Sequence, residues 1–312
     1  MIYTVTLNPA MDKTVEIPSF TLDSVNRIVS MRMDPGGKGI NVSKVVQKLG
    51  GRSAALGILG GAVGKSILSA LDAIGLESDF LFAEGETRTN LKVVDPVRHT
   101  NTDLNEPGLT VPEELLEELL QRLLARLEQE DLVVLSGSLP RGAEKDTYYT
   151  WVKACREAGA KVFLDVDGEL LKTGIQASPY LIKPNHHELS ALFGENLSEP
   201  EELNRAARSL MERYGVRKTV VSMGSRGALY VTEQETVYAE GLKVPVGSTV
   251  GAGDSVVAAL AVAEEEGKSL EETVRLSTAA GAANVMCSGT QAAEYEAVAA
   301  LMPQVAFRRL QA

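Results

Sequence analysis

Short apolar runs alternate with helical patterns along almost the whole chain, and this alternation restricts the fold more than any other feature. The runs with the length and composition of buried strands are 2–7, 54–59, 132–135, 162–166, 180–182 and 219–223. The helical patterns are 41–49, 66–74, 110–128, 147–158, 201–214, 255–265, 270–285 and 295–301. Because strands separated by helices usually pair in parallel, we predict an α/β fold with a doubly wound, mostly parallel sheet and helices on both faces. Residues 228–232 and 236–239 predict a hairpin.

The clearest helical pattern, at residues 110–128, carries a stripe of leucines at helical spacing. Thr110 and Glu113 have the spacing of a capping box, and Pro112 suits a first helical turn. The stripe would serve either as a partner surface or as core packing, and we favour core packing.

Two long polar stretches, residues 13–33 and 88–105, break the alternation. They carry no helical stripe, so they are either long surface loops or the strands of a small separate sheet. We favour strands, because long segments outside the main fold usually carry function. We therefore expect one α/β domain over residues 1–312, with a small β-sheet lid formed from about 13–33 and 88–105.

The formal net charge of −11 argues against a nucleic-acid partner and against an anionic membrane surface. No apolar run approaches the roughly 20 residues of a membrane span, and the first residues lack the pattern of a signal peptide. The two cysteines, Cys155 and Cys287, form neither a disulfide framework nor a zinc ribbon. We expect a cytoplasmic protein with reduced thiols.

Residues 60–66, Gly-Gly-Ala-Val-Gly-Lys-Ser, are similar to a phosphate-binding P-loop. The P-loop pattern requires a glycine five residues before Gly64, and that position is Leu59, so the register is wrong by one. The predicted strand, loop and helix still suit a P-loop NTPase, which stays open as a rival function. The alternative is a helix start whose glycines serve packing beside the sheet.

Two further segments carry the polar groups of a ligand site. Residues 36–41, Gly-Gly-Lys-Gly-Ile-Asn, open a helix, where small residues and free N–H groups favour an anion. Residues 183–188, Lys-Pro-Asn-His-His-Glu, follow a strand. Asn185 and Glu188 suit a hydrated Mg²⁺, which needs few protein ligands, or they form the capping box of a helix. The residues alone do not decide between these two readings.

Two glycine turns complete the candidate sites. Residues 222–227 either hold a nucleotide phosphate or serve as the entry to the hairpin. Residues 248–255, Ser-Thr-Val-Gly-Ala-Gly-Asp-Ser, place small residues at a helix start and leave their N–H groups unobstructed, which is typical of an anion hole. Asp254 beside it is either the base for an attacking hydroxyl or the N-cap of the helix.

Five ordered segments, 6–12, 36–41, 136–140, 183–188 and above all 251–254, resemble the motifs of the ribokinase-like (PfkB) family of sugar kinases, and the resemblance extends along nearly the whole chain. The resemblance implies a doubly wound domain with a β-sheet lid, which often makes a dimer contact, so a homodimer is expected. It implies phosphorylation of a sugar, with ATP and Mg²⁺ as cofactors. A rival from another class, a non-catalytic sugar-phosphate binding protein, would keep the sugar pocket without needing Asp254.

The resemblance also implies a role for each matching residue. The general base would be Asp254, and the anion hole for the γ-phosphoryl group would consist of Gly251, Ala252 and Gly253. The sugar phosphate would contact Asp12, Gly37, Lys38, Asn41, Arg88, Asn90, Lys92, Ser136, Arg141 and Asp254. ATP would contact Lys183, Asn185, Glu188, Ser222, Gly224, Gly227 and Asn284, and the metal ion would be held by Glu188.

Three cations favour a phosphorylated sugar. Arg88 and Lys92 lie four residues apart and share a face of a strand, and Arg141 follows the turn at 136–140. Arginine can hold a phosphate at two oxygens, so three converging cations would suit a sugar phosphate, whereas three solvated surface cations would not. Within the family, residues 87–92 are most similar to kinases of fructose 1-phosphate. We expect the 6-hydroxyl of fructose 1-phosphate to be the acceptor, with tagatose 6-phosphate as the alternative substrate.

Overall fold

Two sheets, one large and one small, organise the chain in the computed structural model, which describes residues 1–287, 289 and 291–311. The strands are β1 (Ile2–Thr6), β2 (Ala10–Glu16), β3 (Ser30–Gly36), β4 (Ser53–Gly60), β5 (Glu77–Ala83), β6 (Arg88–Asp95), β7 (Thr100–Leu104), β8 (Leu132–Ser136), β9 (Lys161–Asp165), β10 (Leu181–Ile182), β11 (Lys218–Ser222), β12 (Gly227–Thr232), β13 (Thr236–Glu240) and β14 (Phe307–Leu310). The helices are α1 (Lys38–Lys48), α2 (Gly61–Ala73), α3 (Glu113–Leu124), α4 (Thr147–Glu157), α5 (Gly168–Gly174), α6 (His186–Phe193), α7 (Pro200–Tyr214), α8 (Ala252–Glu265), α9 (Leu270–Val285) and α10 (Tyr295–Leu301).

Ten strands of the described residues form the large sheet, in the order β14-β13-β12-β11-β10-β9-β8-β1-β4-β5. All neighbours from β11 to β5 are parallel, and β12 to β14 extend one edge in antiparallel fashion. The predicted doubly wound, mostly parallel sheet is confirmed. The chain winds outward from β1 through β4 and then returns to β8 on the other side. The carboxyl ends of β1 and β8 therefore form a topological switch point, where open α/β sheets bind ligands.

Burial on both faces explains why the central strands are apolar without alternation. Every residue of β1 and β8 is buried, as expected for parallel strands covered by helices on both sides. The leucine stripe of α3 is part of this core, through Leu116, Leu119, Leu120 and Leu123. The core interpretation of that stripe is therefore correct. On the opposite face pack α1, α8 and α9.

The start of α3 differs from the prediction. The helix begins at Glu113, its N-cap residue is Pro112, and no side chain caps it. The predicted capping box between Thr110 and Glu113 is therefore wrong. A proline disfavours helical backbone in the residue before it, and the segment before Pro112 instead pairs with the backbone of Arg141.

Four strands within the described ranges form the small sheet, in the order β3-β2-β6-β7. The central pair, β2 and β6, is parallel, and both outer pairs are antiparallel. The predicted small sheet is confirmed. Strands β6 and β7 occupy most of 88–105, whereas β2 and β3 reach only the two ends of 13–33 and residues 17–29 between them form a loop. Side chains alternate along each strand. The face turned toward the large sheet carries Asp12, Thr14, Arg88, Asn90, Lys92 and Asp103.

The elements missed in the sequence lie mostly at the edges of the large sheet or in short segments. Strand β5 starts with three polar residues, and β14 consists of Phe-Arg-Arg-Leu. Charged residues are common on edge strands because they discourage pairing with another chain, and they also hide the apolar signal of a strand.

None of the helices in the described part of the chain is long and apolar enough to cross a bilayer.

Candidate active site

A cavity of about 610 Å³ opens at the carboxyl ends of β1, β8 and β9, beside the switch point of the large sheet. One wall comes from the strand ends and loops of the large sheet, including Thr6, Ser136 and Asp165, and the other from the inner face of the small sheet. The volume suits a small molecule, since ligand pockets typically measure about 300–1,000 Å³. The fold therefore places two chemically different walls around one site.

Asp254 lies in the first turn of α8 and lines this cavity. The N-cap position of the helix is Gly251, whose φ of 80° suits a glycine. The alternative that Asp254 is itself the N-cap is therefore wrong. Its carboxylate Oδ2 accepts a hydrogen bond of 2.8 Å from the Asn41 side-chain amide, on α1. One carboxylate is thus fixed in position by a side chain that comes 213 residues earlier in the chain.

The surroundings of Asp254 make it a poor acid and a usable base. Its burial, at 7 % exposure, raises the pKa to about 6, and the nearby Asp165 acts in the same direction. Lys38, the Asn41 amide and Lys183 partly oppose this rise. A carboxyl group with a pKa near the working pH is ionised enough to accept a proton and basic enough to hold it. The geometry and the pKa together suit a general base.

Asp165 organises two lysines, although the sequence analysis did not single it out. Its carboxylate oxygens lie 3.2 Å from the ammonium nitrogen of Lys183 and 3.3 Å from that of Lys38. Burial opposes the ionisation of Asp165, but Lys183 and Lys38 outweigh it and hold the pKa below its usual range. Asp165 could have been found from the sequence, because it is an acidic residue at the carboxyl end of a predicted parallel strand, and ligands bind at that edge of such sheets.

The start of α8 and Lys183 form an anion-binding corner of the cavity. Gly251 and Gly253 both line it, whereas Ala252, the first residue of α8, is not part of its wall. A Cβ atom on Gly253 would lie 3.4 Å from the Lys183 ammonium nitrogen, an ordinary contact distance, so the helix start and this cation are direct neighbours. Free N–H groups of a helix start beside a lysine favour a phosphoryl group.

Four buried polar atoms in the cavity wall lack a hydrogen-bond partner within the described residues. They are Asn41 Oδ1, Arg88 Nε, Asn90 Oδ1 and Ser136 Oγ. Buried polar groups are nearly always paired, and each unpaired one costs about 1–3 kcal/mol. Two amide acceptors, one guanidinium donor and one hydroxyl are therefore prepared for a ligand with hydroxyl and anionic groups.

Two of the three predicted phosphate-binding cations line the cavity, both on β6. Arg88 donates hydrogen bonds to the carbonyl oxygens of Asn8, at 2.8 Å, and Glu106, at 3.2 Å. Lys92 lies 3.0 Å from a carboxylate oxygen of Asp103 on the adjacent strand. The shared strand face predicted for Arg88 and Lys92 thus points into the site.

Arg141 does not join these two cations. It is exposed and lies outside the cavity wall. Its backbone pairs with the segment before α3, through hydrogen bonds with Leu109 and Val111. The predicted convergence of three cations is therefore reduced to two.

Asn185 and Glu188 form the capping box of α6. The Asn185 side-chain oxygen accepts from the Glu188 N–H at 2.9 Å, and the Glu188 carboxylate accepts from the Asn185 N–H at 2.8 Å. The cap uses one carboxylate oxygen of Glu188 and leaves the other outside it. A hydrated Mg²⁺ needs only one or two protein carboxylates besides substrate phosphates, so the donor set fits Mg²⁺ at Glu188 together with the cap.

Among the residues predicted to contact ATP, Lys183 lines the cavity, whereas the remaining six lie outside its wall: Asn185, Glu188, Ser222, Gly224, Gly227 and Asn284. Ser222 ends β11 and bridges to Asn185, so the segments 183–188 and 222–227, the latter with Gly224 and Gly227, run side by side. Asn284 on α9 lies behind Gly251, and its side-chain amide donates to a carbonyl oxygen in the loop after α9. Asn284 thus lies beside the wall residue Gly251, and Ser222 contacts the segment that begins with the wall residue Lys183.

The P-loop interpretation of residues 60–66 is wrong. Helix α2 begins at Gly61, and the Glu86 carboxylate accepts hydrogen bonds of 3.2 Å from the N–H groups of Ala62 and Val63. A carboxylate of the chain itself therefore occupies the place that a phosphate takes in a P-loop, and this segment lies outside the cavity wall.

Several further residues of the cavity wall were not among the predicted site residues. They are Thr6, Asn8, Thr14, Asp103, Asn105, Gly137, Ser138, Asp165, Asp167 and Val250. Several of them lie inside or directly beside segments that were already recognised. Thr14 is two residues after Asp12, so strand alternation places both on one face.

Three comparisons place the chain among known proteins. Residues 5–297 match the family described as pfkB family carbohydrate kinase. The chain is 37 % identical to the 1-phosphofructokinase of Bacillus subtilis, over 99 % of this chain and 100 % of that protein. It is 41 % identical to the 1-phosphofructokinase of Rhodobacter capsulatus, over 89 % and 88 %.

The structure is similar to that of phosphofructokinase-2 from Escherichia coli in complex with fructose-6-phosphate. The TM-score is 0.91 at 30 % identity, and the match covers 97 % of this chain and 98 % of that one. The tetrameric inhibited form of the same enzyme gives a TM-score of 0.90 at 31 % identity over the same shares. Each similarity extends over the cavity and both sheets, because it covers nearly the full length.

Proposed function

Since the chain belongs to the pfkB family of carbohydrate kinases, we propose that it transfers a phosphoryl group from ATP to the 6-hydroxyl of fructose 1-phosphate. The products are fructose 1,6-bisphosphate and ADP. The observation that carries the proposal is the convergence of four unpartnered buried polar atoms and two cations on one cavity that contains Asp254. The names of the Bacillus and Rhodobacter relatives support fructose 1-phosphate over tagatose 6-phosphate.

The two walls of the cavity suggest how the substrate lies. Its 1-phosphate would face Arg88 and Lys92 on the small sheet, and its 6-hydroxyl would face Asp254 on α8. Asp254 takes the proton of the 6-hydroxyl as the oxygen bonds to the γ-phosphorus and the bond to ADP breaks. The N–H groups at the start of α8 and Lys183 stabilise the charge on the transferred group. Phosphoryl transfer depends mainly on positioning and charge stabilisation of this kind.

A substrate panel tests the proposal. Steady-state kinetics with ATP should give the highest kcat/KM for fructose 1-phosphate, compared with fructose 6-phosphate, tagatose 6-phosphate and unphosphorylated fructose. A higher kcat/KM for either other ketohexose phosphate would overturn the substrate but leave the reaction class intact. A preference for unphosphorylated fructose would show that the two cations do not bind a phosphate.

Arg88→Ala is expected to raise the KM for fructose 1-phosphate by about tenfold to a hundredfold. The reason is that a hydrogen bond to a charged group contributes about 1.5–3 kcal/mol. The KM for ATP should stay nearly constant, because Arg88 lies on the small sheet, away from Lys183. Arg141→Ala is the matched control, because this exposed arginine lies outside the cavity wall. Equal losses in both variants would contradict the role of Arg88.

We also propose that the reaction requires Mg²⁺, with Glu188 as its protein contact. Bound Mg²⁺ would neutralise part of the charge of the ATP phosphates. Glu188→Gln keeps the cap of α6 through its amide oxygen but removes the negative charge. The Mg²⁺ concentration for half-maximal activity should rise several-fold in this variant. Glu195→Gln, at an exposed position after α6, is the control, and an unchanged Mg²⁺ requirement in Glu188→Gln would contradict the assignment.

We propose that the protein works in the cytoplasm as a homodimer joined through the small sheet, which acts as a lid over the sugar. Two free cysteines support a reducing compartment. Exposed apolar side chains on the small sheet and its β2–β3 loop, among them Leu22, Val25 and Met31 at 82 %, 83 % and 57 % exposure, support the dimer contact. Sedimentation velocity at micromolar concentration should give the dimer mass, and a monomer would contradict the proposed homodimer.

A further inference from the structure

The two cations on the small sheet are in different electrostatic states. The guanidinium of Arg88 is held by two carbonyl oxygens, and no carboxylate of the described chain lies within ion-pair distance of it. Carbonyl oxygens accept hydrogen bonds without cancelling a charge. Lys92, in contrast, already has a carboxylate partner in Asp103, at 3.0 Å. The site therefore offers one available cation and one neutralised cation.

The Lys92–Asp103 pair is built into the sheet register. The two residues lie directly opposite each other on β6 and β7, and both side chains line the cavity. Opposite charges at such cross-strand positions attract each other. The Lys92 side chain is only 13 % exposed, whereas that of Asp103 is 50 % exposed and lies on an edge strand. The lysine is thus fixed in the wall, and its partner can move toward solvent.

A phosphate group entering this corner meets Asp103 as a competitor. The phosphate and the carboxylate both need the Lys92 ammonium group, and they repel each other at short distance. Binding at Lys92 therefore requires the phosphate to displace Asp103 or to share the lysine with it. In either case the phosphate group by itself contributes less binding free energy than it would at an unpaired lysine.

We propose that Asp103 acts as an exchangeable counter-ion for Lys92 and thereby lowers the affinity of this corner for any phosphate group. This inference rests on the proposed function, in which the sugar 1-phosphate faces Arg88 and Lys92. When a sugar phosphate binds, hydrogen bonds from its hydroxyl groups to Asn41, Asn90 and Ser136 can offset the free energy lost as Asp103 leaves Lys92. Inorganic phosphate has no such contacts, so in the presence of Asp103 its affinity for the site stays low.

The test compares Asp103→Asn with the wild type, using inorganic phosphate as the probe. The dissociation constant for phosphate, from the rise of the melting temperature with phosphate concentration, should fall about fivefold, the size expected for a partly exposed ion pair. Phosphate should also become a stronger competitive inhibitor against fructose 1-phosphate. The KM for fructose 1-phosphate should fall by a larger factor than kcat changes, a split that general damage to the site would not produce.

Two further variants make the readout specific to the pair. Asp103→Glu keeps the charge and should restore the wild-type dissociation constant for phosphate. Lys92→Gln combined with Asp103→Asn should show no gain over Lys92→Gln alone, because the counter-ion then has no partner to release. The control for net charge is Asp72→Asn, at an exposed position on α2.

An unchanged or weaker phosphate affinity in Asp103→Asn overturns the proposal, and so does a gain that persists without Lys92. The phosphate titration needs no turnover. If fructose 1-phosphate proves not to be the substrate, the proposed function fails in the kinetics while the titration still reports on the pair.

Discussion

Asp254→Asn is expected to lower kcat by about a hundredfold to ten-thousandfold, which is the usual contribution of a placed general base. Asparagine has nearly the same size and can still accept the hydrogen bond from Asn41, but it cannot take the proton of the 6-hydroxyl. The contacts on the small sheet stay intact, so the KM for fructose 1-phosphate should change far less than kcat. Steady-state kinetics on the folded variant provide the measurement. Near-normal turnover would show that Asp254 is not the general base.

The pH dependence of the wild type gives an independent check on the same carboxylate. Burial raises the pKa of Asp254 to about 6, and only the ionised form accepts a proton. As the pH falls through 6, kcat should therefore decline, approaching about tenfold per pH unit well below the pKa. The residual activity of Asp254→Asn should lack this acid limb. A limb that survives in the variant would assign the titration to another group.

Asp165→Asn is expected to lower the free energy of unfolding by about 3–5 kcal/mol at pH 7, as for other buried ion pairs that lose one partner. The change leaves Lys183, with a side chain only 9 % exposed, without its carboxylate. The folded-state pKa of Asp165 lies below its ordinary value. Its stabilising contribution is therefore complete above the unfolded-state pKa of about 4 and is lost as the pH falls further.

Urea denaturation of the wild type and of Asp165→Asn at several pH values would measure this effect. The difference between them should be largest near neutral pH and shrink in acid. Asp167→Asn is the matched control for stability, because Asp167 is exposed two residues away and makes no side-chain cap at the start of α5. Equal stability of the wild type and Asp165→Asn at pH 7 would show that the two lysines do not depend on Asp165.

The sequence predicts the layered fold well because its local signals agree with one another. Helices α9 and α10 have the predicted bounds of 270–285 and 295–301, and α9 starts with a capping box formed by Ser269 and Glu272. Helix α8 begins three residues earlier than predicted, at Ala252, because Gly253 was interpreted as turn rather than helix. The family resemblance adds the site residues that single segments leave undecided, and the Asn185–Glu188 segment is an example.

Long-range contacts account for most of what the sequence could not reveal. Lys38 and Asp165 are 127 residues apart, and nothing local indicates that their side chains meet. The position of Arg141 depends on how its loop pairs with the segment before α3, which only the tertiary structure decides. Asp103 lies in a polar stretch without a strong strand pattern, so its pairing with Lys92 required the register of two strands.

The hydrogen bond between Asn41 and Asp254 also has a consequence for synthesis of the chain. Its two residues are 213 positions apart, and translation adds about 5–20 residues per second. Roughly 10–40 seconds therefore pass between the emergence of the first residue and that of the second. During this interval the site lacks its carboxylate, and the sheet face that α8 and α9 cover in the finished fold lacks both helices. A nascent or truncated chain that ends before α8 therefore lacks both the base and part of the core, and it is expected to be inert.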